Sequence, residues 1–219
     1  MRCRKLLLLY TGGTIGMQMS ATGLIPASGF EQRLRAEQAA HPEHPAPNWL
    51  FQELLPPLDI ANMTQANWLS MRDAIVAGVD QQGCDAVLLL HGTDTLAYSA
   101  AALSFLLLGL PVPVILTGSM QPAGVPNGDA WPNLFGALAL LTTGVAPGVY
   151  LYFNGSLLHG ARASKLQSEA FAAFAESPRP RHGERLAELP AALHYQQTRR
   201  PVSLAVQPLF PGLGAAQLR

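Results

Sequence analysis

Residues 5–14 read KLLLLYTGGT, and residues 86–95 read AVLLLHGTDT. Each segment is an apolar run that leads directly into a turn rich in glycine and threonine. Short continuous apolar runs of this kind are typical of strands buried on both faces of a parallel sheet. Ligands of such sheets bind in the crevice beyond the carboxyl ends of the strands. The two turns are therefore predicted to converge on one small molecule.

The rest of the chain alternates predicted strands and helices. Apolar residues at steps of three and four from Trp68 to Val79 predict a helix, and Thr64 is its predicted N-cap. Further strands are predicted over residues 113–117 and 148–153, and further helices over residues 96–108 and 133–143. This alternation predicts an α/β fold, in which an open and mostly parallel sheet carries helices on both faces.

Proline-rich segments set the expected domain boundaries. Residues 20–60 contain many prolines and little periodicity, so no regular element is assigned to them. The chain becomes polar and rich in proline again after residue 177, and strand character returns over residues 201–210. We expect a first domain over residues 1–177, a linker over 178–200 and the opening strand of a truncated second α/β domain over 201–219.

Composition excludes several classes of partner. The chain carries 14 basic and 14 acidic residues, so its formal net charge is zero and offers no bulk attraction for nucleic acid or an anionic membrane. No stretch approaches the roughly 18 apolar residues of a membrane span. The N-terminal apolar run is shorter than the roughly 7–15 residues of a secretion signal, so we interpret it as a strand. Cys3 and Cys84 fit free thiols in a cytoplasmic protein.

Threonine side chains in the two turns suggest nucleophilic chemistry. A threonine hydroxyl is a weak nucleophile until a neighbouring group takes its proton. Asp94 and a distant lysine could supply that group, and Asp94 is also the predicted N-cap of the helix that follows it. His91 is predicted to support its turn through hydrogen bonds. His41 and His44 have a metal-like spacing without a convergent cysteine or carboxylate pattern, so we expect no metal and no cofactor.

Five segments together resemble the bacterial L-asparaginase family, specifically its cytoplasmic type I branch. The resemblance covers roughly residues 4–210, and the order and spacing of the two threonine motifs make it highly specific. The segments that carry it are Thr11–Gly16, His91–Thr95, Thr117–Met120, Gly128–Leu134 and Arg162–Lys165.

The resemblance implies amidohydrolase chemistry. Thr14 would be the primary nucleophile, which attacks the side-chain amide of asparagine, expels ammonia and leaves a β-aspartyl ester for water to cleave. Thr93, Asp94 and Lys165 would form the second catalytic group. A lysine shielded from water loses its proton more easily, so Lys165 could act as a base near neutral pH.

Substrate contacts are expected from two further parts of the chain. Backbone N–H groups at the turns of Gly92 and Ser119 could hold the developing oxyanion. Asp59, Ile60 and Ala61 match the family segment that grips the α-carboxylate and α-amine of the substrate. Ile60 and Ala61 stand where the family carries a serine and a polar neighbour, so Asp59, Asn62 or backbone N–H groups would have to compensate.

Two other features depart from the family pattern. Leu24 occupies the position of a tyrosine in the mobile loop after the first motif. Family members also continue through a second α/β domain, which completes the site from a neighbouring subunit. The family implies a homodimer or homotetramer for a full-length form.

Two alternatives stay open at this point. The chain could be a degenerate or truncated member that binds a small amide or amino acid without turnover. It could also keep the chemistry and act on D-asparagine, glutamine or a peptide amide.

Overall fold

The computed structural model describes residues 3–21, 23–44, 47–54, 62–177 and 189–204. The strands in these ranges are β1 Lys5–Tyr10, β2 Met17–Ser20, β3 Gly23–Pro26, β4 Asn48–Glu53, β5 Ala86–Leu90, β6 Pro113–Thr117, β7 Gly148–Phe153, β8 Ser156–His159, β9 Ala163–Lys165 and β10 Phe174–Glu176. The helices in the same ranges are α1 Phe30–Ala40, α2 Gln65–Asp80, α3 Leu96–Leu106 and α4 Ala130–Thr143. None of these helices is both long and apolar enough to span a membrane.

The main sheet has six strands in the order β4–β1–β5–β6–β7–β8. All neighbouring pairs are parallel except β7 and β8, which are antiparallel. In this register Tyr10 lies beside Leu90, and Leu90 lies beside Thr117. The carboxyl ends of β1, β5 and β6 therefore meet at one edge of the sheet. The predicted α/β class with an open and mostly parallel sheet is confirmed.

Alternate side chains of β1 face two separate cores. Leu7 and Leu9 belong to a core that includes residues of α2 and α3. Leu6 and Leu8 belong to a second core that includes residues of α1 and α4. This alternation explains the continuous apolar run, because both faces of the strand are covered by helices. The prediction of helices on both faces is confirmed.

The bounds of three predicted helices are close to the observed ones. Thr64 caps α2, since its Oγ1 accepts from the backbone N–H of Asn67 and the Asn67 side chain accepts from the N–H of Thr64. The third helix ends at Leu106, two residues earlier than predicted. The fourth begins at Ala130, three residues earlier than predicted, because Pro132 is tolerated in the first helical turn, where no intrahelical N–H bond is needed.

The predicted N-cap of α3 is wrong. Thr95, and not Asp94, precedes the first residue of α3, and no side-chain cap hydrogen bond is made there. The Asp94 carboxylate instead accepts a hydrogen bond from Lys165. The Asp94 side chain therefore binds Lys165 in the crevice at the end of β5.

Residues 17–53 contain elements that periodicity did not predict. Strands β2 and β3 form an antiparallel hairpin, α1 packs through Phe30 and Leu34, and β4 is the edge strand beside β1. Their apolar signal is weak because α1 buries only those two residues and β4 is exposed or half-buried along its length.

Part of the predicted linker is docked on α2. Arg72 donates to the carbonyl oxygens of Tyr195 and Gln197, and the phenol of Tyr195 donates to Asp80 at 3.0 Å. Residues 201–204 of the predicted strand 201–210 have no regular structure, and the remainder lies outside the described residues. The predicted domain limits stay a prediction.

Candidate active site

The turns that follow β1 and β5 are in direct contact. The backbone N–H and the hydroxyl of Thr11 both donate to the carbonyl oxygen of Leu90, at 3.0 and 2.9 Å. Two residues further on, Gly13 has a φ of +97°, and a Cβ there would fall 2.6 Å from the backbone nitrogen of Gly92. A side chain is therefore excluded, because it would force the two turns apart. Thr14 and Gly92 are thus held at one edge of the sheet.

Thr14 opens a short 3-10 turn over Thr14–Gly16. The turn is anchored by Ile15, which is fully buried and whose carbonyl oxygen accepts from the backbone N–H of Ala123 at 3.1 Å. Thr14 itself is half-buried. This arrangement fixes the backbone beneath the Thr14 hydroxyl while leaving the side chain within reach of a ligand.

Three predicted catalytic residues are joined by hydrogen bonds. The Lys165 ammonium donates to the hydroxyl of Thr93 at 2.9 Å and to the carboxylate of Asp94 at 2.8 Å. The Lys165 side chain is 18% exposed, whereas that of Asp94 is 75% exposed. The carboxylate is therefore open to solvent or to a ligand, while the amine sits between it and the buried hydroxyl.

A short hairpin brings Lys165 to this position. β9 and β10 are antiparallel, with Lys165 opposite Phe174. Arg162 forms an ion pair with Glu176, whose carboxylate also accepts from the backbone N–H of His159 at 2.8 Å. That backbone N–H, followed by the Arg162 guanidinium, holds the pKa of Glu176 below its usual range. Lys165 thus lies on a hairpin that is held in place by the contacts of Glu176.

His91 supports the turn that follows β5 through hydrogen bonds, as predicted. Its imidazole is fully buried, and burial lowers its pKa to about 4, so the ring is neutral. Nδ1 lies 2.8 Å from the carbonyl oxygen of Gly92, which can only accept, so Nδ1 carries the proton. Nε2 then accepts from Ser99 Oγ at 2.9 Å, and Ser99 in turn accepts from the indole of Trp68 at 2.9 Å.

The turn after β6 lies against the same edge. The backbone N–H of His91 donates to the carbonyl oxygen of Thr117 at 2.9 Å. Ser119 is 1% exposed, and its hydroxyl donates to the carbonyl oxygen of Gln121. Asp129 holds this turn by accepting from the backbone N–H groups that follow Ser119. The Ser119 side chain is therefore occupied within its own turn.

Two carboxylates, those of Glu37 and Glu43, lie near the histidines with metal-like spacing. His41 bonds to Glu43 at 2.9 Å, and the His44 ring stacks on Phe135 at 4.8 Å between centroids. Within the described ranges, no group of three or more His, Cys, Asp or Glu side chains is arranged to hold a metal ion.

Sequence comparison assigns the chain to a known family. Residues 5–199 match the family model described as Asparaginase, N-terminal. The chain belongs to the asparaginase family. It is 36% identical over 230 residues to L-asparaginase 1 of Escherichia coli strain K12, an alignment that covers 100% of this chain and 67% of that relative.

Solved asparaginase structures agree with this assignment. L-asparaginase I from Vibrio cholerae superimposes with a TM-score of 0.72 at 37% identity, over 81% of this chain and 52% of that one. A probable cytoplasmic L-asparaginase from Campylobacter jejuni gives a TM-score of 0.66 at 27% identity, over 79% and 51%. The chain therefore spans about two thirds of the E. coli relative's length and about half of these two asparaginase structures.

The structure brings together only some of the residues predicted for the asparaginase site. Thr93, Asp94 and Lys165 are in direct contact, and Gly92 touches the turn of Thr14. Ser119 lies in the neighbouring turn. The predicted substrate-binding residues Asp59, Ile60 and Ala61 lie outside the described residues.

The sequence did not predict the supporting roles of three residues, Trp68, Ser99 and Glu176. The sequence indicated Trp68 only as part of an apolar helical stripe, whereas its indole supports His91 through Ser99. Glu176, which braces Lys165, was not singled out at all. No spacing rule could have found these contacts, because each joins elements that are distant in sequence.

Proposed function

We propose that this chain forms the catalytic domain of an enzyme that hydrolyses the side-chain amide of L-asparagine to L-aspartate and ammonia. The observation that carries the proposal is the hydrogen-bonded group of Thr93, Asp94 and Lys165, placed beside the turn of Thr14. Membership of the asparaginase family supports the choice of reaction.

In the proposed first step, the hydroxyl oxygen of Thr14 bonds to the carbonyl carbon of the amide. The carbon–nitrogen bond then breaks, and ammonia leaves with the proton that Thr14 gives up. In the second step, water cleaves the ester, which releases aspartate and restores the hydroxyl. Two easy steps replace one difficult step, as in other enzymes with covalent intermediates.

The second catalytic group, Thr93, Asp94 and Lys165, would transfer protons during the reaction. The Lys165 amine and the Thr93 hydroxyl are 2.9 Å apart, so a proton can pass directly between them. Asp94 orients the lysine at 2.8 Å and, being largely exposed, can also meet the ammonium group of the substrate. These contacts give each of the three side chains a separate role.

The developing oxyanion would be stabilised by backbone N–H groups at the turns of Gly92 and Ser119. One well-placed donor of this kind is worth about 3 kcal/mol. Asp59, Ile60 and Ala61 are proposed to contact the α-amino and α-carboxylate groups. We propose no metal and no cofactor for this reaction, because each step is assigned to a side chain or to water.

The proposal is tested by T14A, with T142A as the matched control. The Thr142 hydroxyl bonds within α4, to the carbonyl oxygen of Leu138 at 2.8 Å, so its loss should leave the rate of ammonia release near the wild-type value. T14A should lower that rate by about a thousandfold or more, because the nucleophile is lost. Retained activity in folded T14A would reject Thr14 as the nucleophile.

The same assay distinguishes a binding module from an enzyme. Calorimetry that detects asparagine binding to wild-type protein, with no ammonia released, would favour binding without turnover. Parallel assays with D-asparagine, L-glutamine and a peptide amide would show whether L-asparagine is the preferred substrate.

The setting and assembly of the protein are proposed on family grounds. A cytoplasmic location is supported by the description of the Campylobacter jejuni structure as a probable cytoplasmic L-asparaginase. A homodimer or homotetramer is proposed for the full-length protein. The proposed partners are therefore a small amide and further copies of the chain, with neither nucleic acid nor membrane.

A further inference from the structure

The turn that carries Thr14 is held through consecutive carbonyl groups. The carbonyls of Gly13 and of the three turn residues all accept hydrogen bonds. Three of the donors are backbone N–H groups, those of Gly16, Met17 and Ala123. The fourth donor is a side chain, since Arg33 Nη2 donates to the carbonyl oxygen of Gly16 at 2.7 Å. This hydrogen bond is thus the one that a single side-chain substitution can remove.

Arg33 reaches Gly16 from α1 across a stack of aromatic rings. Its guanidinium carbon lies 5.4 Å from the centroid of the Phe30 ring, and that ring stacks on Tyr10 at 5.0 Å. The Tyr10 phenol in turn touches Gly16, where an added Cβ would fall 1.6 Å from its oxygen. The side of the turn that faces α1 is therefore covered by Tyr10, Phe30 and Arg33 together.

Two of the three nitrogen atoms of the Arg33 guanidinium are buried without a hydrogen bond among the described residues. These two atoms are Nε and Nη1. Burying polar groups without partners costs free energy, so a position selected only for stability would favour an apolar side chain. Among the described residues, the guanidinium makes one hydrogen bond, which holds the Gly16 carbonyl.

Arg33 also closes a loop in the chain. Between Gly16 and Arg33 lies the β2–β3 hairpin, which begins directly after the Thr14 turn and ends before α1. The bond from Arg33 to Gly16 joins the two ends of this segment. The turn of Thr14 is thereby tied directly to α1, independently of the hairpin between them.

We propose that Arg33 is a positioning residue that fixes the Thr14 turn for attack, an inference that rests on the proposed function of Thr14 as nucleophile. The guanidinium acts through the Gly16 carbonyl and does not touch the substrate. A misplacement of about 1 Å at a reacting group can cost a hundredfold in rate, so one anchoring bond is enough to matter.

The experiment compares R33M and R33K with R35M and R35K. Met keeps an apolar stem over Phe30 but removes the donor, whereas Lys keeps the charge and a donor. Arg35 is a matched control on the same helix, because it pairs with Glu31 at the surface and lies 3.9 Å from the Trp49 ring centroid. Both Arg35 variants should keep wild-type kcat and wild-type exchange rates in residues 14–20.

Two readouts are measured on each variant. R33M should lower kcat by about ten- to a hundredfold with KM changed by less than about threefold, and R33K should lie between R33M and wild type. Amide hydrogen exchange in residues 14–20 should be about tenfold faster in R33M, as expected when a hydrogen bond from a charged donor is lost. Exchange elsewhere should be unchanged.

Several outcomes would overturn the inference. One is that kcat of the Arg33 variants stays within about twofold of the Arg35 variants. Another is that R33M lowers only the melting temperature, which would indicate a structural role. If R33M does not fold, R33K must still show slower turnover and faster exchange than R35K. If wild-type protein releases no ammonia, the proposed function fails, and the exchange data alone decide whether Arg33 fixes the turn.

Discussion

At the residue scale, His91 shows how burial sets the protonation state of a side chain beneath the site. The ring is neutral because its pKa is lowered to about 4 by burial, and its one proton is held by the carbonyl of Gly92. A neutral ring can accept from Ser99 and donate to Gly92 at once, whereas a charged ring could only donate. The network from Trp68 to Gly92 therefore depends on the neutral form.

This protonation state predicts a pH-dependent stability. The ordinary pKa of histidine is 6.5, so between pH 6.5 and about 4 the unfolded chain binds a proton that folded His91 does not. Neutral His91 therefore makes its full contribution to the free energy of unfolding above pH 6.5. As the pH falls from 6.5 toward 4, this free energy decreases by about 3 kcal/mol. Urea unfolding at pH 7, 5.5 and 4.5 measures this decrease in the free energy of unfolding.

The matched variants for this measurement are H91Q and H41Q. The H91Q protein should lose less stability on acidification than wild type, because glutamine does not titrate. H41Q alters an exposed histidine and should follow the wild-type curve. Parallel curves for H91Q and wild type would show that other groups cause the acid sensitivity.

At the element scale, the β9–β10 hairpin connects Lys165 to the domain. Each strand has only three residues, so the hairpin relies on side chains to hold it. Glu176 provides this support by accepting from both Arg162 and the backbone N–H of His159. The position of Lys165, the proposed catalytic lysine, therefore depends on a carboxylate to which the proposed reaction gives no role.

E176Q is predicted to lower both activity and stability. The amide keeps the shape but loses the charge-assisted bonds to Arg162, which costs roughly 1 kcal/mol of unfolding free energy. Turnover should fall severalfold as Lys165 becomes less fixed. E31Q, which removes a surface ion pair on α1, should change unfolding free energy by less than about 0.5 kcal/mol and leave turnover unchanged. Equal effects in both variants would refute the role of the hairpin.

The elements differ in how well their sequences predicted them. β1 and β5 were predictable because burial on both faces demands an unbroken apolar run. β4 was not, since an edge strand that is half-buried carries no such run. Thr93, Asp94 and Lys165 were grouped only through the resemblance to asparaginases. The bond from Trp68 to Ser99 spans 31 residues and depends on how α2 packs on α3, which no local pattern encodes.

At the scale of the whole molecule, α3 presents an apolar outer face beside the site. Tyr98 is 68% exposed and Phe105 is 65% exposed. The two residues lie on the same face of the helix. Leu166, which directly follows β9, is 68% exposed as well. Large exposed apolar side chains grouped in this way are typical of surfaces that another protein covers. The face is consistent with the proposed homo-oligomer.

F105E is therefore predicted to weaken self-association. A carboxylate on an apolar interface must be desolvated without a partner, so the variant should sediment as a smaller species than wild type at equal concentration. V202E places the same charge at a position that is 64% exposed elsewhere and should sediment like wild type. A wild-type protein that is monomeric at all concentrations would refute the assembly.

The contact between Gly13 and Gly92 has a consequence for how the loops can vary. β1 and β5 are hydrogen-bonded neighbours, and the turns that follow them touch at Gly13 and Gly92, so the turns of Thr14 and Thr93 lie side by side. The number of residues between the two strands does not affect the relative position of these turns. Residues inserted at the tip of the β2–β3 hairpin would lengthen the chain between the two hydroxyls without changing the gap that a bound amide has to bridge.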